Sequence, residues 1–302
     1  MGLPIQKEQV IYMFDQFSPL VNVLLLSLVA SLGTALGGAL AIIRRPGRRA
    51  YGFLMGITAG VMICLSFMEL VNEAWELGGP AAATLGFGIG ALFMLTLDYL
   101  APHLRFGQVE FHGHHAEDLA REDDAHVNPD FTQTRRRHRR GAHWLSHGDA
   151  AVDAKLINSG LLLAIGISLH NLPEGISVGA GYMHNPQFGL FIAMAIMLHN
   201  IPEGLATALP LSKGGAKRGY ALGIAVLSGL AEPLGAVLAS LFLGSFQNLI
   251  PGALAFAGGV MVYITLDELI PSAREYGSVH WTSLGIIVGS IFVFLLSAWM
   301  GV

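Results

Sequence analysis

The sequence predicts an all-α polytopic membrane protein of eight transmembrane helices, on three observations. Of its 302 residues 53% are hydrophobic and 13% charged, where a soluble domain carries about a quarter charged residues. Apolar runs long enough to cross a bilayer, about 20 residues each, recur along the chain. A polar motif sits twice inside such runs, "HNLPEG" at 170–175 and "HNIPEG" at 199–204.

Eight runs qualify: 19–43, 51–75, 82–104, 156–181, 187–211, 217–243, 250–272 and 282–301. Residues 1–18 form an N-terminal segment, 19–104 carry spans 1–3, 105–155 form a loop, and 156–302 carry spans 4–8. With eight crossings, linkers 44–50, 105–155, 212–216 and 273–281 share one side. With the adjoining helix ends they hold every Lys and Arg except Lys7. The positive-inside rule makes that side the cytoplasm and places both termini outside. The start "MGLPIQKEQVIYMFDQF" lacks the basic region and short apolar core of a cleavable signal. A single cysteine, Cys64, excludes an intrachain disulfide.

The loop 105–155 holds nine acidic residues, eight basic ones and seven histidines, with few aliphatics. Such a composition cannot bury enough apolar surface to fold alone and reads as a flexible cytoplasmic segment. "FHGHHAEDLA" within it is either a loose metal chelator, as imidazole and carboxylate allow, or a solvated linker. "AVDAK" before span 4 reads as helical lead-in.

A second repeat supports an inverted architecture. "GVMICLSFMEL" at 60–70 matches "GVMVYITLDEL" at 259–269, in spans 2 and 7, which cross in opposite directions. The two "HNxPEG" copies lie in spans 4 and 5, also opposed. Inverted-topology repeats are common in secondary transporters, with the substrate site near the midplane.

On a helix, residues three and four apart are neighbours. His170 therefore shares a face with Glu174, and Asn171 nearly does; His199, Asn200 and Glu203 repeat the pattern. Pro173 and Pro202 cannot donate a backbone hydrogen bond, which frees the carbonyls of Leu169 and Leu198. Within a membrane such groups persist where protein, water or an ion satisfies them. Glu232, from "SGLAEPLGA" in span 6, adds a third mid-span carboxylate. A charge at a helix centre costs about 2.5–3.5 kcal/mol on insertion scales, and three adjacent carboxylates cannot all ionise without cations or protons. A lone buried His or Glu is ordinarily a hydrogen-bonded helix contact; two His, two Asn and three Glu on three consecutive spans point to a divalent metal. In span 2, Met62, Ser66 and Glu69 recur at four and three on one face. Cys64 lies off that face and reads as packing.

"HNLPEG" and "HNIPEG" on consecutive helices, followed by "GLAEPLGA", resemble the ZIP (Zrt/Irt-like protein) family of divalent metal transporters, and among them the bacterial broad-specificity subgroup. The resemblance implies a 3+2+3 bundle with spans 1–3 and 6–8 pseudo-symmetric. It also implies uptake of zinc, and of iron, manganese, cobalt or cadmium, across the bacterial inner membrane. A binuclear site follows from it: His170, Glu174, His199 and Glu203 with Met62 for one ion, and Asn171, Glu174, Asn200, Glu203 and Glu232 for the other. Some family members have an acidic residue where Asn200 stands, so the second position is less negative here. Glu69 would lie toward the entrance, with Glu73 and Glu76 beyond it. Asp98, His103, Asp267 and Glu268 would lie on the release side, where end-of-span charges also serve as interfacial anchors. Family resemblance favours an elevator-like movement of spans 1, 4, 5 and 6 against spans 2, 3, 7 and 8.

No prosthetic group is implied; the metal is substrate, and the partners are the ion and the lipid bilayer, with a homodimer left open and no sign of nucleic acid binding. The absence of "GxxxxGK[ST]" argues against ATP hydrolysis, and the absence of "HExxH" argues against the rival reading of an intramembrane metalloenzyme. Export in place of uptake, and metal sensing through the loop, are the other rivals. Deleting residues 110–145 is expected to alter regulation while metal flux persists in an uptake assay; complete loss of flux would make the loop part of the route.

Overall fold

A computed structural model describes residues 17–43, 46–100 and 154–302. These form an α-helical bundle: α1 (Pro19–Ile43), α2 (Arg48–Cys64), α3 (Asn72–Leu100), α4 (Ala154–His184), α5 (Pro186–Lys213), α6 (Arg218–Gly229), α7 (Ala231–Ser245), α8 (Ile250–Ile264), α9 (Ile270–Tyr276) and α10 (Val279–Met300). Among the described residues, seven helical stretches are long and apolar enough to cross a membrane. One of them, Arg48–Tyr99, has 52 residues, which at 1.5 Å per residue is far longer than the roughly 30 Å hydrocarbon core. It breaks at Gly79, whose φ of 75° and ψ of 178° lie outside helical space. Only glycine adopts such angles without strain, and Pro80 restarts the helix. The N-terminal segment 1–16, His103 and nearly all of the 105–155 loop lie outside the described residues; α4 begins at Ala154, within "AVDAK".

Sequence punctuation sets the other joints. Asn185 caps α5, its side chain accepting from the backbone N–H of Gln187 at 2.8 Å and Phe188 at 3.4 Å, with Pro186 at the first helical position. Asn is among the preferred caps, and Pro suits the first turn because its missing N–H has no partner there. The run 217–243, expected as one helix, is two: α6 ends at Gly229 and α7 starts at Ala231. Pro233 is the physical reason, because it has no N–H to offer the carbonyl of Gly229.

Two wide turns interrupt the repeated segments. Residues Leu65–Val71 and Thr265–Leu269 are π-helical, one in each copy of the "GVM…EL" repeat. Such single-turn bulges often occur at functional sites. The wider turn falls between Met62 and Glu69, where the sequence reading assumes α spacing alone. Met62 and Ser66 are fully buried, whereas Glu69 is half-buried.

Glycines divide the helices into two sets. In one, α1 seats Gly33 and Gly37 on the carbonyls of Met197 and Ile201 in α5, and Gly175 of α4 meets the carbonyl of Glu232 in α7. In the other, Gly56 and Gly60 of α2 press on Thr282 and Ile286 of α10, and Gly90 of α3 on Phe256 of α8. Small residues let membrane helices approach backbone to backbone. Among the described residues the close glycine approaches between helices fall inside α1/α4/α5/α6/α7 or inside α2/α3/α8/α9/α10 with the two π turns. Larger side chains fill the boundary, with Ile192 and Ile196 in the same apolar cluster as Met62, Leu254 and Met261.

A side chain cannot enter these seams without moving a backbone. Gly37→Ala and Gly204→Ala are each expected to lower the thermal midpoint of the detergent-purified protein, with overpacking costing about 1–3 kcal/mol. Gly223→Ala, whose Cβ would meet nothing within 4 Å, should leave it unchanged or slightly raised.

Candidate metal centre

The two "HNxPEG" motifs face each other across α4 and α5. Each helix continues through its internal proline, so the α spacing inside the motif holds and His170 and Glu174 share a face. His170 Nε2 lies 2.9 Å from Glu174 Oε1 and 3.1 Å from Glu203 Oε1, and His199 Nε2 lies 2.8 Å from the same Glu174 oxygen. Ligand atoms of His170, Glu174 and Glu203 all fall within 4.8 Å of one another, and each residue is buried. The imidazoles come from both helices and so do the carboxylates. One ion could therefore bridge α4 and α5.

Glu232 approaches from the first turn of α7, where the unpaired N–H groups of a helix start favour a carboxylate. It is fully buried, and Asn200 Nδ2 donates to its Oε2 at 2.9 Å. The same amide nitrogen donates to the Ala30 carbonyl of α1 at 3.2 Å. Asn171 Nδ2 donates to the Ser228 carbonyl at 3.1 Å, a group at the α6 terminus that the helix break leaves without its i+4 partner. Both asparagines thus spend their donors on backbone or Glu232 and turn their oxygens elsewhere.

What remains is a set of buried oxygens without donors. Asn171 Oδ1, Glu174 Oε2, Asn200 Oδ1, Glu203 Oε2 and Glu232 Oε1 have no hydrogen-bond partner. Unsatisfied buried polar atoms are rare and costly. Carboxylate and amide oxygens beside imidazole nitrogens form a donor set suited to zinc and neighbouring divalent ions.

The contacts obey an approximate two-fold relation. Gly175 meets the Glu232 carbonyl as Gly204 meets that of Thr34; Gly235 meets the Leu172 carbonyl as Gly37 meets that of Ile201. Asn171 caps Ser228 as Asn200 caps Ala30. Each pairing relates α1 to α6/α7 at one constant offset, under which "LGTALGGALA" at 32–41 aligns with "LAEPLGAVLA" at 230–239. The sequence reading missed this third repeat, although five of ten positions are identical, because its polar members differ.

The remaining sequence-predicted residues fall at three depths. Met62 is fully buried, and its Sδ lies 3.6 Å from the hydroxyl of Thr265, in the opposite π turn. Asp98 of α3 joins Asp267 and Glu268 of the second π turn, with ligand atoms within 4.8 Å of one another. At the opposite end, Glu73, a turn beyond Glu69, pairs its Oε1 with His184 Nε2 at 2.6 Å. Sequence reasoning did not single out His184, since nothing in the local pattern tells which distant helix its ring will reach. Nearby, the Gln187 side chain donates to the Met300 carbonyl. Both contacts cross between the two glycine-knit sets.

A family model described as ZIP Zinc transporter matches residues 101–297. A relative named Zinc transporter ZupT from Akkermansia muciniphila is 36% identical over 287 residues, covering 90% of this chain and 94% of its own length. Proteins of the same name from Chlorobium luteolum, 35% identical over 88% of this chain and 93% of theirs, and from Corynebacterium efficiens, 36% identical over 87% and 91%, are similar along nearly the whole length. With a helical bundle of membrane-crossing length and a buried His/Glu group at its heart, this chain belongs to the ZIP zinc transporter family.

Proposed function

We propose that the chain carries zinc, and other divalent transition-metal ions of similar ligand preference, across the bacterial inner membrane into the cytoplasm. The observation that carries this reading is the buried group of His170, Glu174 and Glu203, with ligand atoms within 4.8 Å, surrounded by carboxylate and amide oxygens that lack donors. His170, Glu174, His199 and Glu203, with Met62 beside them, hold one ion. Asn171, Asn200 and Glu232, with the two glutamates, hold a second. The names of the similar proteins agree with zinc as substrate.

The membrane topology is eight crossings in a 3+2+3 arrangement. The Gly79 break and the 52-residue length of Arg48–Tyr99 support reading that stretch as two crossings, eight in all. The pairing of α2 with α10 and of α3 with α8, through Gly60 on Ile286 and Gly259 on Phe87, is the relation expected of the inverted "GVM…EL" repeat. Basic residues place both termini outside.

An ion enters from the end bearing Glu69 and Glu73, exchanges water for the imidazole and carboxylate ligands at mid-membrane, and leaves past Asp98, Asp267 and Glu268. His103 belongs to that exit on sequence grounds. Neutralising clustered carboxylates is what makes a dication favourable there. The membrane potential drives entry, worth about 2.3 kcal/mol per charge per 100 mV. The glycine seams hold α1/α4/α5/α6/α7 and α2/α3/α8/α9/α10 as two bodies, and the boundary between them, which such seams do not cross, is where an elevator-like displacement occurs. Loss of a proton from the ligands accompanies metal binding.

His170→Ala and Glu203→Ala are each expected to reduce zinc uptake into proteoliposomes by more than the roughly 10–100-fold seen when a metal ligand's outer partners are lost, with the protein still in the membrane. Near-normal uptake in either would refute the site. In a Cys64→Ala background, a Glu73→Cys/His184→Cys pair bridged by a thiol-reactive cross-linker that reduction cleaves is expected to arrest uptake, and reduction to restore it. Full uptake with the cross-link in place would refute displacement of the two bodies.

A further inference from the structure

Threonine hydroxyls inside helices ordinarily donate to the carbonyl one turn back. Thr58, Thr96, Thr207 and Thr265 all do so here, at 2.7–3.4 Å. Thr34 does not. Its Oγ1 is fully buried and has no hydrogen-bond partner. The usual acceptor, the carbonyl of Ala30, is engaged by the amide of Asn200.

The position of Thr34 gives that hydroxyl a meaning. The two-fold relation that matches Gly175 with Gly204, Gly235 with Gly37 and Ser228 with Ala30 matches Glu232 with Thr34. Thr34 is wedged between the two ligand-bearing segments: its carbonyl touches Gly204, next to Glu203, and its Cβ and Oγ1 would stand 3.1 and 3.2 Å from a Cβ on Gly229, just before the break that presents Glu232. We propose that Thr34 is a further residue of the ion route, the neutral counterpart of Glu232, whose hydroxyl oxygen serves a bound dication directly or through one retained water. The inference rests on the mid-membrane reading given above. A hydroxyl in place of a carboxylate keeps an oxygen available on that side of the site and removes one negative charge. The centre thereby holds three carboxylates where full symmetry would give four, which weakens its grip and favours release over retention.

The test uses zinc and cadmium uptake by the full-length protein in proteoliposomes. Thr34→Val is isosteric and removes only the oxygen; it should raise the KM for zinc several-fold and change the zinc-to-cadmium preference, with the thermal midpoint held. Thr34→Ser keeps the hydroxyl and should restore both. Thr34→Glu completes the symmetric carboxylate set and should tighten zinc binding to the purified protein several-fold while slowing turnover. Unchanged KM and metal preference in Thr34→Val, or a loss in Thr34→Ser equal to that in Thr34→Val, would reduce Thr34 to packing and overturn the proposal. Normal uptake by Thr34→Val alongside inactive His170→Ala would overturn this inference alone; normal uptake by His170→Ala would remove the mid-membrane site with it.

Discussion

Three glutamates at bilayer depth are the constraint around which the rest of the molecule is arranged. Glu174, Glu203 and Glu232 are each at most 4% exposed, and no Lys or Arg stands in the middle of any of their helices. The compensation within the chain is modest: two imidazoles reach a single oxygen of Glu174, one of them also stands 3.1 Å from an oxygen of Glu203, and one amide reaches Glu232. The donor supply ends there, with several oxygens left over. Carboxylates so placed favour an exchangeable cation, and the helix geometry brings them together. At the α6–α7 break the Asn171 side chain caps the carbonyl of Ser228, and the Asn200 side chain makes the matching contact to Ala30 within α1.

Much of this was legible in the sequence. The spacing of His170, Asn171 and Glu174, repeated at His199, Asn200 and Glu203, fixed which side chains share a face, because the α register survives Pro173 and Pro202. Apolar length marked the membrane-crossing stretches, of which the described residues hold seven, and the "GVM…EL" repeat paired the two segments that carry π turns. Other features needed three dimensions. The last glycine of each motif reads on paper as a turn or a flexible point, yet its role is to let α4 and α5 touch the carbonyls of Glu232 and Thr34. The variable residue between Asn and Pro looks inert, but its carbonyl receives Gly235 or Gly37. Periodicity alone could not show either contact, since each depends on a partner helix distant in sequence. The π turns escaped for a different reason: a bulge inserts a residue without changing composition.

The same glycines relate the site to movement. Tight seams join α1 to α5 and α4 to α7, so the His, Asn and Glu side chains of the centre lie on one glycine-knit set of helices, whereas Met62 lies on the other. The other seams, α2 with α10 and α3 with α8, build a second unit without mid-membrane ligands from the "HNxPEG" motifs. Between them lie larger side chains and polar contacts such as His184 with Glu73 and Gln187 with Met300, which can break and re-form without rebuilding a backbone seam. On the proposed reading, this division lets the ion and its ligands travel together while the surrounding helices stay in place.

The central claim is that the clustered side chains of α4, α5 and α7 exist to hold a divalent ion. Diffraction from crystals grown with zinc, recorded on both sides of the zinc absorption edge, tests it most directly. The account predicts an anomalous peak within bonding distance, about 2.0–2.2 Å, of His170 and of the Glu174 and Glu203 carboxylates. Zinc-saturated crystals showing these side chains in the same arrangement, with no anomalous density between them, would contradict it.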